Sequence, residues 1–208
     1  MRQQSAATFA ASGALHIALP QATLWHWPAA LAAPEADAAF TSLQREVGWQ
    51  QQQIVIFGRR VLQPRLSAWH GEAEAHYRYS GRDFAPEAWT PTLQVLRARV
   101  EALCGARFNS VLCNCYRDGQ DAMGWHADDE RELGPAPQIA SLSLGATRRF
   151  RLRPRERDAH PAQTLELGHG SLLLMAGATQ RHWQHALPRM ARVREPRINL
   201  TFRWVGGR

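Results

Sequence analysis

His126-Ala127-Asp128 sets an imidazole and a carboxylate two residues apart. In an extended strand such residues share a face, so the pair can converge on one metal ion. A third ligand must come from a distant segment, and His169, His182 and His185 are the candidates downstream. Two imidazoles and one carboxylate leave three positions of an octahedral metal open. That suits Fe(II) which must take a chelating cosubstrate and then O2, whereas a structural zinc is closed by four protein ligands. On its own the H-x-D pair is short enough to be a surface salt bridge.

A second pattern adds weight. In Arg197, Ile198, Asn199, Leu200, Thr201, Phe202, Arg203 the alternation is unbroken, with Arg, Asn, Thr and Arg on one face and Ile, Leu and Phe on the other. The polar face is either solvated, as on an antiparallel edge, or turned into a barrel interior. The two arginine Cα atoms are roughly 20 Å apart, so both serve one small dicarboxylate only by leaning toward each other. Planar guanidinium forks suit carboxylates. Asn114 and Tyr116, again two residues apart on a strand, offer an amide and a phenol to the same interior.

Helices and strands must hold these groups in place. One helix is expected from Pro34 to about Val47, with Ala38, Ala39, Leu43 and Val47 at helical spacing. A second begins with Thr90 as N-cap and Pro91 at its first position, carries Leu93, Leu96, Val100 and Leu103 on one face, and stops at Gly105. Beyond Gly105 the pattern turns to strands, expected at 109–116, 139–144, 148–152, 171–175 and 197–205, with 153–163 as a polar surface loop. Many short strands behind two helices, without regular β-α alternation, predict an α+β fold: a jelly roll braced by helices on one side. The expected organisation is a single domain over 1–208. It comprises an N-terminal extension and helix (1–63), a recognition region with its supporting helix (64–108) and a jelly-roll core (109–208).

Composition limits the setting. With 208 residues, 45% hydrophobic and 21% charged, the chain is neither disordered nor fibrous and can bury a sizeable core. The net charge is +7 and all 25 basic residues are arginine, which makes a polyanionic partner plausible. Cys104, Cys113 and Cys115 cannot all pair, so a reducing, cytoplasmic setting is expected. Gln21, His26 and Pro28 interrupt the apolar runs near the N-terminus, and no long apolar stretch follows, so neither a signal peptide nor a membrane span is expected.

Taken in order, PRLSAWHGE, YRYSG, FNSVLCNCYRDG, WHADDERELG, IASLSLGATRRF, LGHGSLLLMAGATQRHWQH and PRINLTFR resemble the AlkB-type Fe(II)- and 2-oxoglutarate-dependent dioxygenases, which reverse alkylation damage in nucleic acids. The resemblance runs from about Pro64 to Val205 and leans toward the animal AlkB homologue that prefers single-stranded DNA and RNA.

The resemblance implies a double-stranded β-helix, the cupin-like form of the jelly roll. It makes His126, Asp128 and His185 the iron ligands and leaves His182 and His169 outside the triad. It assigns Asn114, Tyr116, Arg197 and Arg203, with Asn199 between them, to 2-oxoglutarate. Trp69, Tyr77, Tyr79 and Glu130 fall at the damaged base. Arg65, Arg78 and Arg82, the arginines nearest that clamp, are the candidates for holding phosphates, with a solvated surface as the alternative. The implied activity is oxidative demethylation of 1-methyladenine and 3-methylcytosine in DNA, with RNA as a second substrate. It uses Fe(II), 2-oxoglutarate and O2 and releases formaldehyde, succinate and CO2. A monomer without membrane association is expected. The competing readings are a related oxygenase acting on a protein or small molecule, and a non-catalytic jelly roll that binds nucleic acid.

Overall fold

The computed structural model describes residue 9 and residues 12–56, 58–75, 77–79, 82–156 and 159–206. Side chains at 54–56, 77–79 and 82–84 lie outside the described part, and with them those of Tyr77, Arg78, Tyr79 and Arg82, expected at the damaged base and its phosphates.

Helix α1 (Ala33–Glu46) carries Pro34 in its first turn and buries Ala36, Ala39 and Leu43. Ala38, expected on that face, is exposed, because Ala36, Ala39 and Leu43 form the apolar stripe at the 3.6-residue period; Val47 caps the helix and is buried in the same core. Helix α2 (Pro91–Cys104) follows its local signals. Thr90 Oγ1 accepts from the Leu93 amide at 3.3 Å, Pro91 opens the first turn, and Gly105 ends it in the left-handed region at φ 59°. Its buried residues are Leu93, Leu96, Val100 and Cys104, with Leu103 only partly covered.

Seven antiparallel strands form the main sheet, in the order β1 (Leu15–Ile17), β2 (Thr23–Trp27), β13 (Ser171–Ala176), β10 (Ile139–Gly145), β15 (Arg197–Arg203), β8 (Ser110–Tyr116), β5 (Leu66–Gly71). A second sheet runs β12 (Gln163–Leu167), β11 (Arg148–Pro154), β14 (Trp183–Leu187), β9 (Met123–His126). Two hairpins stand apart, β3 (Gln53–Ile56) with β4 (Arg59–Leu62) and β6 (Tyr77–Tyr79) with β7 (Arg82–Phe84). A single helical turn, α3 (Thr179–His182), joins β13 to β14.

The five expected strands are β8, β10, β11, β13 and β15, with ends displaced by at most two residues. The segment 153–163 is shorter as a loop than expected, since Arg153 and Pro154 finish β11 and Gln163 opens β12. The main sheet also draws on residues far from 109–208: β2 pairs with β13, and β5 pairs with β8 at the other side.

Three layers result. Ile198, Leu200 and Phe202 turn to the helices, where they meet Leu43, Leu93 and Val100 in one core. Ile139, Leu173 and Met175 turn to the second sheet and pack on Phe150, Leu152, Leu167 and Trp183. With Ile, Leu and Phe of β15 spent on the helix side, Arg197, Asn199, Thr201 and Arg203 must face the space between the sheets. This is the helix-braced α+β jelly roll that the strand pattern predicts. No helix among the described residues is long and apolar enough to cross a membrane.

Candidate active site

The pairing of β15 with β8 sets Arg197 opposite Tyr116, Asn199 opposite Asn114 and Thr201 opposite Leu112. All six line one cavity between the sheets, together with His126, Asp128, His185 and Arg203. The two arginines at the ends of β15 therefore do lean into a common space.

His126, Asp128 and His185 form the cluster at its mouth, each offering a ligand atom within 4.8 Å of the others. β9 pairs with β14 so that His126 lies directly opposite His185, with ring centroids 4.2 Å apart. Asp128 arrives differently from the strand expectation, because β9 ends at His126. Its backbone amide leaves the ladder and donates to Gln180 Oε1 at 3.0 Å, which turns the carboxylate inward. Gln180 went unnoticed in the sequence, since only the fold brings α3 beneath this loop.

The protonation states suit a metal. His126 Nδ1 lies 2.9 Å from the Gly124 carbonyl. A carbonyl only accepts, so Nδ1 donates there and Nε2 is the ring nitrogen left to face a metal. His185 is stacked on Phe150 at 5.2 Å and is almost fully buried. Burial, reinforced by His126 and opposed by Asp128, pushes its imidazole down to about 3, so it stays neutral. Burial works against charge on Asp128, but Arg203, His185 and His126 outweigh it and hold the carboxyl below its ordinary range. Asp128 Oδ2 is buried without a hydrogen-bond partner. An orphaned carboxylate oxygen beside two imidazoles, one of them held neutral by burial, is a donor set that Fe(II) fits.

The deep end of the cavity fits an anion. Arg197 is 2% exposed, donates through Nη2 to Ser143 Oγ at 2.9 Å, and leaves Nε unpartnered. Burial, with Arg148 nearby, pushes its guanidinium down to about 10 against the pull of Tyr116. The Tyr116 ring lies beneath Arg197 at 5.4 Å and Arg148 at 5.7 Å, and burial raises its phenol, which remains a neutral donor. A buried, under-bonded cation beside a phenol suits a carboxylate such as that of 2-oxoglutarate.

Two expected contacts already carry hydrogen bonds within the protein. The Asn199 amide nitrogen donates to Ser141 Oγ at 2.7 Å and the Leu142 carbonyl at 3.0 Å, so its donors are already committed. Arg65, expected at phosphate, is partly buried and donates through Nε to Asn114 Oδ1 at 2.8 Å. That leaves the Asn114 amide nitrogen for a ligand. Arg148, missed in the sequence, is fully buried and bonds the carbonyls of Asp118, Asp121 and Pro188. Its period-two match to Phe150 and Leu152 is the signal that places it inside.

A wider groove opens onto the same cluster, sharing His126, Asp128 and Arg203 with the cavity. Trp69, Glu130 and Arg65 line it, as do Gln52, Gln53 and Gln63, which the sequence did not flag. Glu130 Oε2 is buried there without a hydrogen-bond partner. His169 lies elsewhere, against Asp37 at 3.2 Å, and His182 ends α3 outside the cluster.

A jelly roll with an iron-type triad above a buried anion site defines an oxygenase class. Residues 23–203 match the family model of the 2OG-Fe(II) oxygenase superfamily, and the chain belongs to that family. It is 46% identical over 179 residues to the alpha-ketoglutarate-dependent dioxygenase alkB homolog 3 of Bos taurus, an alignment covering 82% of this chain and 62% of that protein. It is 44% identical over 180 residues to the DNA oxidative demethylase ALKBH2 of Mus musculus, covering 82% and 75%. The chain spans 60–65% of the length of its alkB homolog 3 relatives. The solved structure of OsALKBH1 superposes with a TM-score of 0.64 at 17% identity, over 91% of this chain and 99% of that one, a likeness of fold.

Proposed function

We propose that the protein is a monomeric, cytoplasmic dioxygenase that demethylates N-alkylated bases in single-stranded DNA and in RNA. The observation that carries the substrate class is Glu130, whose unpartnered Oε2 stands in the groove that opens on His126 and Asp128. The names of the relatives, a DNA oxidative demethylase among them, support the same class.

His126, Asp128 and His185 would hold Fe(II), while Arg197 and Tyr116 would bind one carboxylate of 2-oxoglutarate and Asn114 its other end. When bound, Fe(II) and 2-oxoglutarate supply the O2-dependent oxidation of an N-methyl group, with succinate, CO2 and formaldehyde as products. Arg203 orients Asp128 and keeps it ionised. The burial of His185 and Asp128 excludes water from one side of the reacting centre.

Base selection falls to the groove. A methylated base reaches the triad only when unstacked, which costs least in a single strand. 1-Methyladenine and 3-methylcytosine are cationic, whereas the intact bases are neutral. The face of Trp69 attracts a flat cation, and the Glu130 carboxylate adds charge discrimination.

Formaldehyde and succinate release from a single-stranded oligonucleotide carrying one 3-methylcytosine, beside an undamaged control, tests this. Release with the lesion alone is the expected result. Equal succinate without it would move the substrate to another class, and no succinate at all would favour a non-catalytic binding module.

A further inference from the structure

The demethylase reading places one base in the groove, and the strand carrying that base must continue beyond it. Resting on that reading, we propose that the backbone runs over the outer face of the second sheet, where Arg149, Arg151 and Arg153 bind successive phosphates.

β11 alternates strictly. Arg148, Phe150 and Leu152 are buried, and Arg149, Arg151 and Arg153 are exposed. The solvent face of an antiparallel strand ordinarily mixes charges, because like charges side by side repel. Here three consecutive outward positions carry the same sign, and among the described residues none of the three has an ion pair. Their cross-strand neighbours are Glu166 and Thr164 on β12, and Ala186 and Gln184 on β14, so a single carboxylate faces the ladder. Outward side chains on one strand recur about every 6.7 Å, and the ladder spans about 13 Å. That step is comparable to the separation of neighbouring phosphates in an extended strand.

The forks are ordered in advance. Arg153 lies over the Trp125 ring at 4.3 Å and Arg151 at 5.6 Å. Arg153 also donates through Nε and Nη2 to Gln184 Oε1 at 3.1 and 2.9 Å. A guanidinium stacked on an indole keeps edge N–H groups for an anion and loses little further freedom on binding. Trp125 precedes His126 on β9, so the surface that steadies the ladder is the back of a strand that bears a candidate metal ligand.

The ladder also leads to the groove. Arg155, just past the end of β11, is ion-paired with Asp129, which sits between Asp128 and groove-lining Glu130. A strand leaving the groove over this loop meets Arg153 first. A regular line of charges on a rigid strand fits a regularly spaced polyanion. A lipid surface would call for an apolar side chain free to insert, and here the Trp125 ring is covered by Arg151 and Arg153, with Glu166, Thr164, Gln184 and Ala186 as the cross-strand neighbours.

The test compares the wild type with the triple variant Arg149→Ala/Arg151→Ala/Arg153→Ala, leaving Arg155 in place. Binding of an unmodified single strand of about twenty nucleotides is measured against salt. Each lost phosphate contact lowers the slope of log K on log salt by about 0.7, so a fall of about 2 is expected. A triple Arg→Lys variant should keep most of the slope, which separates charge from any folding defect. With lesion-bearing substrates, KM should rise about tenfold or more for the long strand and stay put for a trinucleotide too short to reach the ladder. An unchanged salt slope, or equal weakening on both substrate lengths, would overturn the proposal. So would loss of binding to phosphatidylserine vesicles with no change on the oligonucleotide. If the wild type turns over no lesion at all, the demethylase reading fails, while the salt slope on the unmodified strand still decides the ladder.

Discussion

Asp128 divides its two oxygens between two partners: Oδ1 accepts from Nη2 of Arg203, and Oδ2 lies 3.6 Å from Nε2 of His185 with no hydrogen bond of its own. Arg203 thus fixes the carboxylate rotamer and holds it ionised, leaving the second oxygen for a metal. Removing such an outer partner typically weakens metal binding about 10–100-fold. Arg203→Gln should show a loss of that size in a Co(II) or Mn(II) titration followed by absorbance or relaxation. Unchanged affinity would mean that packing alone orients Asp128.

The third ligand is separable from its neighbour in sequence. His185 lies opposite His126 across β14 and β9, whereas His182 ends α3 outside the cluster. His185→Ala should abolish tight metal binding, and His182→Ala should keep it. The reverse pattern would reassign the site.

In the metal-free protein the His185 imidazole should not titrate between about pH 5 and 8, since burial, then His126, pushes it down to about 3. The sign follows from linkage. The unfolded chain takes up a proton near 6.5 that the native site refuses, so this residue's contribution to stability is present above about 6.5 and declines as pH falls toward 3. Imidazole NMR resonances followed through the range check the first statement, and urea midpoints measured across it check the second. A His185 resonance moving with an ordinary midpoint would contradict the neutral assignment.

How far this site could be read in advance depended on whether its residues share a strand. Asn114 with Tyr116, and Arg197 with Arg203, follow from period two, because alternation needs only neighbouring residues. The inward turn of Asp128 did not, since it rests on Gln180, which lies beneath the loop only after α3 packs there. The hydrogen bond from Arg65 to Asn114 was hidden for the same reason: β5 and β8 pair across nearly fifty residues of sequence. Helix α2 was legible because Thr90, Pro91 and Gly105 are local signals. β1 and β2 were not, because short strands near the N-terminus gain their meaning from pairing with β13.

At the deep end of the cavity, Arg197→Lys should raise KM for 2-oxoglutarate on the order of tenfold, the equivalent of about 1.4 kcal/mol, with a smaller change in kcat. A lysine keeps the charge but loses the fork, and the Ser143 contact made through Nη2 cannot be reproduced alongside a carboxylate. Succinate production at varied 2-oxoglutarate gives both constants. A fall in kcat alone would place Arg197 outside the cosubstrate contact.

Glu130 offers the sharpest test of what the groove selects. Its Oε2 is buried without a partner on a wall shared with Trp69 and His126. A lone buried acceptor is costly unless a ligand satisfies it, and a cationic base does so more strongly than a neutral one. Glu130→Gln keeps the shape and removes the charge. A charge-assisted contact exceeds a neutral one by about 1–1.5 kcal/mol, so the preference for 3-methylcytosine over cytosine should fall about tenfold, with binding of the undamaged strand little altered. Competition binding with matched trinucleotides measures that ratio directly, because such short strands cannot reach the arginine ladder. Equal losses on both would take Glu130 out of base selection and leave its buried oxygen to be explained by the loop that carries Asp128.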